Sequence, residues 1–409
     1  MPSTLIFDNA NVFDGTSPKL AERMSVLVEG NEIRTVTRDR IEKAGAQRID
    51  CSGKTLMPGL IDNHVHIYAE SLKLTPPEPP MTYRAQHANR FLTHMLSCGF
   101  TAVRDVGGGD RGMAMALRDG FLTGPRYFYG GMCLSQTGGH GDFRTGDQPG
   151  DICNCGAQHN FLARICDGVD ECVKGAREEL RKGASHIKIM GSGGVMSPAD
   201  PIDKAQYSEA EIRAIVQEAD RRGAYVCSHC HPAHAIRLSV EYGVRCIEHG
   251  TLIDAPTAAF VAEKGAYVVP TMAVIQALAD DGPKMGMPVE SQEKLKRVHE
   301  HALSGMEIMK RAGVKMGFGT DLLGYQYVRQ CTEFTIRRQV LSAFDILHSA
   351  TAINAEIVQM KDKLGAVKPG ALADLLVVDG NPLENIDLLA ANGKHLTHIL
   401  LDGKLVKGA

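Results

Sequence analysis

The sequence predicts an α/β protein: a (β/α)8 barrel over residues 58–364, accompanied by a small β-sandwich built from residues 1–57 and 365–409. Three observations lead there. The middle of the chain alternates short apolar runs with longer amphipathic stretches, the grammar of βα units and a parallel sheet. Eight such runs can be counted, the number that closes a barrel. Both ends carry short alternating runs broken by turn residues, and 409 residues exceed the usual reach of a single core.

At the N-terminal end, Ser25-Val26-Leu27-Val28-Glu29 and Glu32-Ile33-Arg34-Thr35-Val36 are separated by Gly30 and Asn31, and Gly53 punctuates the segment further on. The same pattern returns in Asp374-Leu375-Leu376-Val377-Val378-Asp379 and in His398-Ile399-Leu400-Leu401-Asp402-Gly403-Lys404, so the two ends are expected to pair. Between them, strands are expected at 60–66, 100–106, 127–131, 186–191, 224–230, 246–250, 266–272 and 315–321. Ser208-Glu209-Ala210-Glu211 has the form of a capping box, in which Ser208 bonds the third helical amide and Glu211 reaches back. In such barrels the chemistry sits at the C-terminal ends of the strands.

Composition narrows the function. With 44% hydrophobic and 23% charged residues the chain reads as a packed body, not a disordered one. A net charge of -3 and a pI near 6.6 give no basic field for phosphate backbones or anionic lipids, so neither nucleic acid nor membrane is expected as a partner. The start, Met1 to Asp8, lacks a basic region followed by an apolar one, and no run approaches about 18 apolar residues, which points to a cytoplasmic protein. Eleven cysteines, an odd number, fit reduced thiols better than a disulfide framework. The local group Cys153, Cys155, Cys166 and Cys172 matches no common zinc spacing and is read as buried or idle thiols.

Sixteen histidines carry more information. His64-Val65-His66 closes the first expected strand, and a two-residue spacing puts both imidazoles on one face, where they suit one cation. Lys188, His229, His249 and Asp321 fall at other strand ends. Any one of these histidines could instead be a hydrogen-bonded core side chain, and Asp321 could be a helix N-cap. Lys188 is the hardest to explain blandly, because Ile187-Lys188-Ile189 is a costly place for an unpaired ammonium. Either a salt bridge neutralises it, or it reacts with carbon dioxide to give a carbamate whose two oxygens can bridge two cations.

Taken with Ser135-Gln136-Thr137-Gly138-Gly139-His140-Gly141-Asp142, His186 to Val195 and Ile247-Glu248-His249-Gly250, these residues resemble the amidohydrolase superfamily over almost the whole chain. The similarity is to the branch of Xaa-Pro dipeptidases, Xaa-Arg/Lys carboxypeptidases and ochratoxin-type amidohydrolases. The resemblance implies that His64, His66 and Asp321 hold one divalent ion, His229 and His249 a second, and carboxylated Lys188 both. Zinc is the first choice, although cobalt and manganese also suit such ligands. It implies a homo-oligomeric enzyme in which a hydroxide bridging the ions attacks the amide of an N-acyl-L-amino acid or dipeptide and releases the C-terminal residue. Asp321 would accept the proton and pass it to the leaving amine.

The expected substrate is a small molecule bearing a carboxylate. His140 is expected to contact substrate or stabilise charge in the transition state, and Tyr325 and Arg329, with segment 273–300, to line the pocket. At the position of His231 the proline-cleaving relatives typically carry a tyrosine that meets the substrate carboxylate. A cationic imidazole there could still bind one. Carbamate or phosphotriester cleavage would use the same metal pair. A deaminase is disfavoured because His231-Pro232-Ala233-His234 offers no catalytic glutamate, and a silent binding protein because every ligand-type residue is retained.

Overall fold

The computed structural model describes residues 4–72, 79–144, 161–197 and 200–408. Cys153 and Cys155 lie outside the described residues. Cys166 and Cys172 are buried and free.

Parallel strands form at Leu60–Val65, Phe100–Asp105, Arg126–Tyr129, His186–Met190, Tyr225–Pro232, Cys246–Leu252, Tyr267–Val269 and Lys315–Met316. Each overlaps one of the expected segments, with Arg126–Tyr129 starting one residue early and Tyr225–Pro232 and Cys246–Leu252 running two residues further. Apart from the mostly half-buried Arg126–Tyr129 and the exposed Lys315, their residues are almost all buried, as in a parallel sheet covered on both faces. The first three pair in chain order, as do the fourth to the eighth. The third is split, which the sequence reading did not foresee. After Tyr129 the chain turns at Gly130-Gly131 and resumes as Cys133–Ser135, which pairs with the fourth strand through Leu134 and Ile189. Gly131 is required at that turn: its φ is 74°, and a Cβ there would meet Glu179 Oε2 at 2.2 Å.

The eighth strand has a regular ladder of only two residues, yet hydrogen bonds join it to the first. Asn63 N donates to Phe318 O at 2.9 Å and Asp321 N to His64 O at 2.8 Å, so residue 321 is stitched directly beside the His64-Val65-His66 segment. Ser208 opens the helix Glu209–Asp220 with both halves of the capping box in place.

The two chain ends pair as expected, in one eight-stranded mixed sheet. Thr55–Pro58 runs parallel to Thr4–Val12 and antiparallel to Leu375–Val378, with Leu376 opposite Met57. Phe7, Val26, Val28, Leu56, Val377 and Leu400 fill a core separate from the main one. Gly59 then leads straight into the first strand. Arg126 ties the third strand to this sheet through Asp374, at 2.5 and 3.1 Å, and Asp402, at 2.7 Å.

Cys227 and Cys230 have the spacing of a thiol pair, but a strand turns them to opposite faces. Cys227 packs with Tyr225 and Cys246, whereas Cys230 Sγ lies 3.3 Å from Ser239 Oγ, and neither forms a disulfide. Among the described residues, no helix is long and apolar enough to cross a membrane.

Candidate active site

The strand ends bring the singled-out residues together. His64 Nδ1 lies 2.8 Å from Glu248 Oε2, and His66 Nδ1 lies 3.0 Å from Gly107 O. Both partners are acceptors, so each ring donates from Nδ1 and turns Nε2 outward. The two Nε2 atoms face one oxygen of Asp321, at 3.4 and 3.3 Å. One potential ligand atom from each of His64, His66 and Asp321 lies within 4.8 Å of the others. Two lone pairs and a carboxylate oxygen thus converge, an arrangement that needs a proton or a metal cation at its centre. Imidazole nitrogens with a carboxylate are the donor set of zinc and similar divalent ions, so these residues fit such an ion.

His249 and Asp321 have φ of 71° and 57°, in the left-handed region that side chains rarely adopt. At His249 this breaks the alternation of the strand, so that Glu248 and His249 both reach the cluster. The His249 ring centroid lies 4.9 Å from that of His64 and 4.5 Å from that of His229. His249 Nδ1 is 2.8 Å from Thr271 Oγ1, and His229 Nε2 is 3.3 Å from Gly193 O, so among the described residues each ring keeps its other nitrogen without a hydrogen bond. Burial, reinforced by neighbouring histidines, holds both rings well below the ordinary imidazole range, in the neutral form a ligand requires. For Asp321, burial opposes ionisation, but His64 and His66 overcome it and keep the carboxyl well below its usual range.

Lys188 lines the same cleft. It is 2% exposed and has no hydrogen bond or ion pair to any described residue. The salt bridge that would have explained it is therefore absent among the described residues.

Two further charged residues back the cluster, and sequence alone assigned a role to neither. Arg104 and Glu248 also sit in apolar strands, and both are fully buried. Arg104 donates from Nη2 to Glu248 Oε1 at 2.7 Å and from Nε to Asn63 O at 2.6 Å, while the other oxygen of Glu248 holds His64. Burial opposes ionisation of Glu248, but Arg104 and His64 hold its carboxyl well below the usual range. Asp62 is a second support: it accepts from His64 N at 3.1 Å, Thr320 Oγ1 at 2.7 Å and Gln330 Nε2 at 2.8 Å, bracketing both His64 and Asp321. Such partners fix ligand orientation and tautomer.

His140 stacks on His229 with centroids 4.1 Å apart, and its Nδ1 lies 2.7 Å from Ser197 Oγ. His231 is held by Thr251 Oγ1 at 2.7 Å, and burial pushes its ring down to about 3. Burial thus favours the neutral ring, which can meet a substrate as a hydrogen-bonding group and not through the charge that a cationic imidazole would bring.

Tyr325 and Arg329 do not reach the cleft. They lie on a short 3-10 turn, Gly324–Arg329, whose inward members are Gly324, Gln326 and Tyr327. Tyr325 is 59% exposed, and Arg329 pairs with Asp280 at 2.8 Å and Asp281 at 3.2 Å. Leu323 lines the cleft instead. Segment 273–300 lines it as expected, through the helices Met272–Asp281 and Val289–Arg311. The space in the cleft and at its open mouth, solvent included, is about 790 Å³.

Residues 55–406 match the profile of the family described as "Amidohydrolase family". Ochratoxinase of Aspergillus niger is 32% identical over 367 residues, covering 86% of this chain and 76% of that protein. The crystal structure of a prolidase complexed with N-methylphosphonate-L-proline has a TM-score of 0.96 and 45% identity, covering 99% of this chain and 100% of that one. A Xaa-Pro dipeptidase with methionine bound in its active site has a TM-score of 0.90 and 29% identity, again covering 99% and 100%.

Proposed function

The chain belongs to the amidohydrolase family and is a hydrolase acting on C–N bonds; from that premise we propose that it cleaves the amide bond of dipeptides or N-acyl-L-amino acids and releases the C-terminal residue. The scaffold is a (β/α)8 barrel over residues 58–364, with residues 1–57 and 365–409 as an accessory β-sandwich.

The observation that carries the reading is Lys188, a buried amine with no hydrogen bond or ion pair to any described residue, on the floor of the cleft beside histidines and Asp321. Its Nζ, once deprotonated, would attack the carbon of carbon dioxide, form an N–C bond and give up one further proton, leaving an anionic carbamate. That carbamate would hold two divalent ions, zinc by first choice, one shared with His64, His66 and Asp321 and the other with His229 and His249. When bound, such ions supply an activated water and polarise a carbonyl.

The remaining work falls to side chains. Asp321, held ionised, accepts the proton of the attacking water and delivers it to the leaving amine. His140, stacked over His229 and fixed by Ser197, donates a hydrogen bond to the developing oxyanion. His231 offers a neutral hydrogen-bonding ring to the substrate. The prolidase and the Xaa-Pro dipeptidase support the amide class, and the ochratoxinase supports a wider range than proline alone.

The test is a panel of dipeptides and N-acetyl amino acids on zinc-loaded protein, with Asp321→Asn as control. Release of the C-terminal amino acid, lost in the control, is expected. If no member of the panel is cleaved, the substrate class fails; if the control retains full activity, the role of Asp321 fails.

A further inference from the structure

Above its polar floor, the cleft is walled by hydrocarbon. Val274, Ile275 and Leu278 project from the helix Met272–Asp281, and Leu295 and Val298 from Val289–Arg311, with Phe143 from the loop that carries His140. None of the six side chains bears a hydrogen-bonding atom. Among the described residues, Lys188 is the one Lys or Arg lining the cleft, and the amide reading uses its amine for the carbamate.

Cations nearby are committed elsewhere. Lys294 donates to the carbonyls of Gly194, Ser197 and Asp200 at 3.1, 2.8 and 2.7 Å. Arg144 pairs with both oxygens of Asp142, at 2.7 and 2.6 Å. Arg329 is held by Asp280 and Asp281. A carboxylate laid against this wall would lose its water and gain no counter-charge from the described residues, whereas an apolar group would gain from leaving water.

We infer that substrates are selected by a bulky apolar substituent, aromatic or branched aliphatic, seated against Val274, Ile275, Leu278, Leu295 and Val298, with the substrate's carboxylate a minor determinant. This inference rests on the amide reading above. It shifts the main recognition element from the charge expected from the sequence to the hydrocarbon beside it.

Three amides separate the contributions: N-acetyl-L-phenylalanine, N-acetyl-L-alanine, which lacks the phenyl ring, and N-acetylphenethylamine, which lacks the carboxylate. Losing the ring is expected to lower kcat/KM by about 10- to 100-fold. Losing the carboxylate should lower it by less than about fivefold. Ile275→Ala should narrow the phenylalanine-to-alanine ratio by about fivefold with metal content unchanged. If carboxylate removal costs more than ring removal, or the ratio in Ile275→Ala equals that of the parent, this inference is overturned while the amide reading stands. If none of the three amides nor any dipeptide is cleaved, the amide reading itself has failed.

Discussion

On the floor of the cleft, His64, His66, His249 and Asp321 converge from the first, sixth and eighth strand ends, and the Nδ1 atom of every ring is fixed by a named partner. In the wall, Val274, Ile275, Leu278, Leu295 and Val298 come from two helices and share no directional interaction. The floor depends on directional hydrogen bonds, backed by Arg104, Glu248 and Asp62. The wall depends on area, and area tolerates exchange. Substitutions in the floor should therefore change what chemistry occurs, and those in the wall only which molecule undergoes it.

The sharpest way to break this contrast is Asp321→Asn. It is expected to lower kcat by about 10²- to 10⁴-fold with little change in KM; steady-state kinetics showing a KM effect alone would make Asp321 a binding residue. Glu248→Gln acts one layer further out. It should weaken metal affinity by about 10- to 100-fold, read by titration against a competing chelator. Because it leaves Arg104 buried without its counter-charge, it should also cost about 3–5 kcal/mol, read from urea unfolding.

The third prediction concerns a histidine outside the cleft. His186 is fully buried at the opposite end of the strand from Met190, stacks on Tyr225 at 5.6 Å, and has no partner for Nε2 among the described residues. Burial first, then the Arg104 charge, drive its ring well below the ordinary imidazole value. The unfolded chain takes up a proton near about pH 6.5 that the folded chain refuses. The stability due to the neutral ring is therefore present above that pH and lost as pH falls below it. In His186→Phe, the decline of unfolding free energy between about pH 7 and about pH 5 should be shallower than in the parent. An unchanged slope would assign the decline to the floor histidines. The smallest effect is expected at Arg329. Its partners are surface carboxylates, so Arg329→Ala should leave kcat/KM within about twofold and change stability by less than about 0.5 kcal/mol.

The same contrast governs what was legible in the sequence. His64, His66, His229, His249 and Asp321 stand out as polar residues near the ends of apolar runs, and Lys188 as a charged residue inside one. Glu248 and Arg104 carry the same signal, but it reads as chemistry only once their contacts to His64 and Asn63 are seen. The split of the third strand at Gly130-Gly131 was hidden because a glycine pair reads equally as a strand end. Tyr325 and Arg329 misled because proximity to Asp321 in sequence does not set direction on a 3-10 turn, where Gln326 and Tyr327 turn inward instead. The wall residues were anticipated as a segment but not as a surface. An apolar position on an amphipathic helix looks the same whether it faces the core or a substrate. Pairing of the two chain ends was legible from alternation alone, since each end exposes a strand edge the other can satisfy.

The central claim is that the floor is a metal centre organised by Lys188, and the most direct test is the metal content of purified protein and of Lys188→Ala, measured by elemental mass spectrometry after loading with zinc. The account predicts about two ions per chain in the parent and less than about one in the variant, with the fold retained by circular dichroism. Equal metal content in the two proteins would contradict it.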